Sequence, residues 1–147
     1  MAIRLNVLDD QITQHFKLRE YANHEDGGAI MCNRNNIRFY KNVEAFRLWY
    51  NRPMWVTSGT RTKAFNKKCG GVSNSYHLLG LAVDWRHPIE YYSMNPTRKN
   101  QYIDNIKKKW FEICKNEGVK GSVIVYDTII HTSWWPDWYF EDKRGKR

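Results

Sequence analysis

Between residues 96 and 118, apolar side chains recur at three- and four-residue intervals: Tyr102, Ile103, Ile106, Trp110, Ile113 and Cys114 form one stripe among lysines and asparagines. That period predicts a helix with one buried face, and Gly118 supplies its C-terminal stop. Glu112 and Glu117 lie off the stripe and read as solvent carboxylates. A second helix is predicted over residues 42–50, where Val43, Phe46, Leu48 and Trp49 keep a near-helical spacing that must end before Pro53. Elsewhere the pattern is that of strands. Residues 54–57 are short, aromatic and β-branched, and Ser58-Gly59 then turns the chain and presents Arg61. Residues 81–85 read as a strand antiparallel to it, with Asp84 near its end. Residues 122–126 and 129–134 read as strand material kinked around Asp127-Thr128. With no repeat and no internal linker, the pattern predicts an α+β fold, a small antiparallel sheet with flanking helices.

Length fits a single domain over residues 1–147, large enough to enclose a core, with a flexible basic tail expected at about 141–147. Seven Trp, nine Tyr and six Phe set the polar surface apart from disorder. Cys32, Cys69 and Cys114 are odd in number and form no C-x-x-C pair, which argues against a disulfide framework and for reduced thiols. No run of 18 apolar residues exists, and residues 1–10 lack the apolar core of a secretory signal. Synthesis in the cytoplasm and a monomer are the expectations. The net charge of +9 favours polyanions, among which nucleic acid, anionic wall polymers and acidic membrane faces all qualify. A basic nucleic-acid binder rests on charge and aromatics alone, because no nucleic-acid motif accompanies them.

Candidate chemistry is concentrated in residues 75–84, Ser-Tyr-His-Leu-Leu-Gly-Leu-Ala-Val-Asp, where His77 and Asp84 stand seven apart across a glycine. His131 offers a third donor. Two imidazoles and a carboxylate are a usual ligand set for hydrolytic Zn2+, which keeps a fourth position open. Gly80 would turn the backbone so that Asp84 returns towards His77, whose second ring nitrogen needs an acceptor to hold it. His87 keeps a rival ligand set open, whereas His15 and His24 read as surface or hydrogen-bonded histidines.

The flanking segments carry a resemblance. Ser58-Gly59-Thr60-Arg61, the S-x-H-x-x-G-x-A-x-D pattern of residues 75–84, His131 with Ser133, and Phe16 followed by Glu20-Tyr21 together resemble the LAS peptidases. Those are named for lysostaphin, D-alanyl-D-alanine metallopeptidases and sonic hedgehog, and the likeness is to the D-Ala-D-Ala carboxypeptidase branch that includes phage endolysins. It spans roughly residues 16–134. It implies a hedgehog/DD-peptidase-like fold, zinc held by His77, Asp84 and His131, and a peptidoglycan stem peptide as substrate, with anionic wall polymers as a further partner. It also implies release through a holin or carriage in a virion. Arg61 would hold a substrate carboxylate or carbonyl through its guanidinium fork. Ser75 would hydrogen-bond substrate or support the loop.

The resemblance does not supply a proton acceptor. Similar peptidases place a carboxylate a few residues before the late histidine or two after it, and here those places hold Thr128 and Ser133. Asp127 is the expected base, although on one extended strand it would lie roughly 13 Å from His131 and needs a turn to approach it. Asp137, within Trp134-Trp135-Pro136-Asp137-Trp138, is the reserve, and those tryptophans would line a groove, pack the core or form a lid. A zinc-binding but inactive wall-binding or partner-binding module is therefore the alternative to a peptidase.

Overall fold

In the computed structural model, which describes residues 10–23 and 30–146, the chain runs through α1 (Leu18–Tyr21), α2 (Arg34–Tyr50), β1 (Val56–Ser58), α3 (Lys63–Lys68), a 3-10 turn (Tyr76–Leu79) and β2 (Ala82–Arg86). A second 3-10 turn (Ile89–Ser93), α4 (Pro96–Glu117), β3 (Lys120–Val125), β4 (Ile129–Trp135) and β5 (Tyr139–Asp142) follow. His24 lies outside the described residues.

The stripe on α4 is its buried face: Ile103, Ile106, Trp110, Ile113 and Cys114 are all covered. Asn95 caps the helix by accepting from Arg98 N–H, Pro96 occupies the first turn, and Gly118 ends it in the left-handed region at φ 82°. α2 begins at Arg34, well before the predicted 42, because Asn33 and Asn36 cap its start reciprocally and Phe39 and Tyr40 are buried.

The five strands lie in the order β1-β2-β4-β3-β5, antiparallel except for the β3–β5 pair. Alternation gives the sheet two unlike faces. One carries Val83, Trp85, Val123, Val125 and Ile130, each fully buried against α2 and α4. Trp110 meets Phe39 edge-on at 5.9 Å and donates from Nε1 to Ser133 O at 3.0 Å, so the helix layer is bonded to the sheet as well as packed on it. The other face carries one row across four strands, in which Asp84 pairs with His131, His131 with Ile124, and Ile124 with Glu141. This row is the floor of the cleft.

The predicted β1, β2, β3 and β4 all form, and the kink at Asp127-Thr128 is the β3–β4 hairpin turn, in which Tyr126 N–H donates to Ile129 O. The expected tail differs. Glu141 and Asp142 belong to β5, Lys143 N–H donates to Val125 O at 2.7 Å, and Arg144 bonds Asp142, Tyr91 and Asn100. Partners from β3 and α4 thus tie residues 139–144 to the sheet edge.

Candidate metal centre

Ser75 opens the turn that carries His77, its Oγ accepting from His77 N–H at 3.2 Å. Of its two predicted roles, loop support is the one this bond performs. Gly80 closes the turn at φ 65°, and a Cβ there would lie 2.8 Å from Met31 Cβ and 2.9 Å from Asn36 Nδ2. Asn36 uses that approach to donate to the carbonyls of Leu79 and Gly80 at 2.9 and 3.0 Å. The chain then returns as β2, whose register with β4 sets Asp84 opposite His131.

Ligand atoms of His77, Asp84 and His131 all lie within 4.8 Å of one another. Both histidines address one oxygen: His77 Nε2 is 3.2 Å and His131 Nδ1 2.8 Å from Asp84 Oδ1. His77 Nδ1 is 2.7 Å from the carbonyl of Gly59, which only accepts, so the proton of the neutral ring sits on Nδ1. Burial lowers the pKa of His77, an effect that Asp84 offsets only in part. Burial alone would raise Asp84, but His77 and His131 hold it well below the usual carboxylate range. An Nε2 lone pair therefore faces an ionised carboxylate oxygen in a buried site. Two acceptors so placed repel unless a cation lies between them. This donor set fits zinc, which takes neutral imidazole and carboxylate together.

The shell around these ligands explains the flanking segments. Tyr21, at 1% exposure, gives its carbonyl to Thr60 N–H at 2.7 Å, and a Cβ on Gly59 would lie 2.4 Å from that same oxygen. Only glycine lets the strand pass there, and its carbonyl is what orients His77. Arg61 N–H donates to His77 O at 2.9 Å, while its guanidinium reaches Ser58 Oγ at 2.9 Å, Asn66 Oδ1 at 3.3 Å and Asp84 Oδ2 at 2.9 Å. Arg61 lines the cleft, but its fork is engaged with Asp84 where the sequence predicted a substrate carboxylate.

Asp127 lies between β3 and β4. It sits at the hairpin turn, its Oδ1 accepts from Gly145 N–H at 3.0 Å, and it does not line the cleft. Asp137 is 80% exposed, 3.6 Å from Lys120 Nζ, and also off the cleft. His87 is no rival ligand: it stacks on Tyr91 at 4.0 Å and its Nε2 is 2.8 Å from Tyr126 O. His15 bonds Glu44 at 2.7 Å. Cys69 is exposed and lines the cleft, Cys32 is exposed, and Cys114 is buried.

The cleft encloses about 550 Å³, a volume within the usual range of small-ligand sites. The tryptophans divide: Trp135 lines the cleft against Tyr76 at 4.9 Å, Trp134 is core and bonds Asn42, and Trp138 packs on Phe111 at 5.0 Å. The sequence reading missed Tyr126, Glu141 and Lys143, which also line the cleft. Burial first, then Asp84 and Glu141, raise the pKa of Tyr126, which keeps it a phenol and hence a donor.

Among protein families, the model described as Peptidase M15 matches residues 14–125. No curated protein and no solved structure matches the chain. The matched span includes Gly59, Arg61, Ser75, His77 and Asp84 and stops short of His131, which joins them through the pairing of β2 with β4.

Proposed function

The chain belongs to the peptidase M15 family, and from that premise we propose that it is a zinc-dependent peptidase that cleaves a peptidoglycan stem peptide or cross-bridge. The observation that carries the reading is the convergence of His77 Nε2 and His131 Nδ1 on Asp84 Oδ1. His77, Asp84 and His131 would hold the metal. When bound, zinc polarises a scissile carbonyl and lowers the pKa of water towards ~7.

The protein's own groups supply the rest. Gly59 O fixes the tautomer of His77, and Arg61 pulls on Oδ2 of Asp84 so that Oδ1 stays turned to the two rings. The Tyr126 phenol faces the same cleft and can donate to a substrate oxygen that gains charge. Trp135 and Tyr76 offer an aromatic wall beside the site for the peptide to lie on. Carboxypeptidase action at a terminal D-Ala and endopeptidase action within a bridge both agree with this set. Release through a holin or carriage in a virion would bring the enzyme to the wall.

One observation favours the second reading, a zinc-binding but inactive wall-binding module: neither Asp127 nor Asp137 lines the cleft. Zinc-loaded protein incubated with purified peptidoglycan decides between them. New amine ends, lost on chelation and restored by zinc, are expected of the peptidase; stoichiometric zinc with no amine release would leave the module.

A further inference from the structure

Besides Asp84, Glu141 is the one carboxylate lining the cleft among the described residues, and Lys143 lines it too. Glu141 pairs with Ile124, which pairs with His131, so two interstrand spacings, about 10 Å between Cα atoms, separate Glu141 from the late histidine. A proton acceptor must lie within hydrogen-bond reach of the reacting water, or one water further. Among the described residues Glu141 bonds none of His77, Asp84 and His131; its carboxylate accepts from Tyr139 OH. Between backbones, the same 10 Å is about three residues of extended peptide, so the cleft wall at Glu141 extends well beyond the late histidine.

Lys143 follows on the same edge, its N–H continuing the ladder to Val125 O at 2.7 Å. Its Nζ lies 5.6 Å from the centroid of the Tyr126 ring, and Glu141 accepts from Tyr139 OH. Neither charge forms an ion pair among the described residues, with each other or elsewhere. Two residues apart on extended backbone, their Cα atoms are roughly 7 Å apart. A carboxylate alone would select an ammonium, and a lysine alone a carboxylate. Held side by side and unpaired, they match a group that carries both.

Resting on the peptidase reading, we propose that Glu141 and Lys143 form a subsite for a zwitterionic group of the substrate, with ammonium and carboxylate on one carbon, as at the free side-chain end of a diamino acid in a wall peptide. The probes are three synthetic wall tripeptides ending in diaminopimelate, in diaminopimelate acetylated at its side-chain amine, and in lysine. Binding is measured by calorimetry to metal-free and zinc-loaded protein, so turnover is not needed for the reading. The wild type is expected to hold the diaminopimelate peptide at least tenfold more tightly than either control. Lys143→Gln should erase the preference over lysine and Lys143→Arg should keep it, while Glu141→Gln should erase the preference over the acetylated peptide, with melting temperatures close to wild type. Equal or undetectable binding of all three by the wild type, or preferences that survive in Lys143→Gln and Glu141→Gln, would overturn the subsite. Amine release from peptidoglycan, measured separately, keeps the two proposals apart: preference without hydrolysis removes the peptidase alone, and hydrolysis without preference removes the subsite alone.

Discussion

The two halves of the cleft are built on opposite terms. On the β2–β4 side, the candidate ligand side chains and their partners are buried or nearly so and held at more than one atom: His77 by Asp84 and Gly59, Asp84 by two histidines and Arg61, Arg61 by three side chains. On the β3–β5 side, Tyr126, Glu141 and Lys143 are half-exposed and only lightly tied. A metal site needs its ligands fixed before the ion arrives, whereas a substrate-facing wall must exchange water for a peptide. Changes on the first side should therefore act on metal affinity, and changes on the second on substrate selection.

The largest effect should come from removing a ligand. His77→Ala or His131→Ala is expected to lose stoichiometric zinc and to reduce peptidoglycan hydrolysis below detection, read by metal analysis and amine release. Next is Arg61→Ala, which leaves the ligands but frees Asp84 Oδ2. Loss of such a support is worth about 10–100-fold in metal affinity, measurable by competition with a chelator. If Arg61→Ala instead raised KM with zinc affinity unchanged, Arg61 would belong to the substrate side.

Lys143→Gln should do the reverse of Arg61→Ala, raising KM for peptides bearing a free carboxylate while leaving zinc affinity as in the wild type. A smaller effect is expected behind the cleft at His87, whose pKa burial lowers from its ordinary 6.5. A depressed histidine contributes stability that is present above that ordinary value and lost as pH falls through the folded one. Urea unfolding should then show the wild type weakening from pH 7 to pH 5 more than His87→Gln does. Smallest is Asp127→Asn, whose one hydrogen bond among the described residues is to Gly145 N–H: stability should change by no more than ~1 kcal/mol and hydrolysis should persist. Abolished hydrolysis with zinc retained would return Asp127 to the site.

The difference between the halves also governs what could be read from the sequence. His77 and Asp84 are legible as candidate ligands because one short motif holds both of them and the glycine that folds them together. α4 was legible because its stripe, proline start and glycine stop all agree. The support of His77 was not, because a backbone carbonyl leaves no residue-type signature; Gly59 announces a close approach but not which ring it serves. β5 was hidden for another reason. It is four residues long, partly charged, follows Pro136, and joins the sheet by parallel pairing with a strand some 17 positions earlier, as Ser122 with Tyr139. Missing that strand left Glu141 and Lys143 in an expected tail and left Asp127 as the nearest carboxylate. The late start of the α2 prediction has a local cause, since Arg34 to Lys41 mixes charged residues with Ile37, Phe39 and Tyr40, and its signal is the Asn33–Asn36 cap.

X-ray absorption at the zinc edge of the loaded protein tests the central claim most directly. The account predicts one zinc per chain with nitrogen and oxygen neighbours only, at about 2.0–2.2 Å, and two imidazole scattering patterns. A sulfur neighbour near ~2.3 Å, which Cys69 on the cleft wall would supply, or no stoichiometric zinc at all, would contradict the His77-Asp84-His131 site.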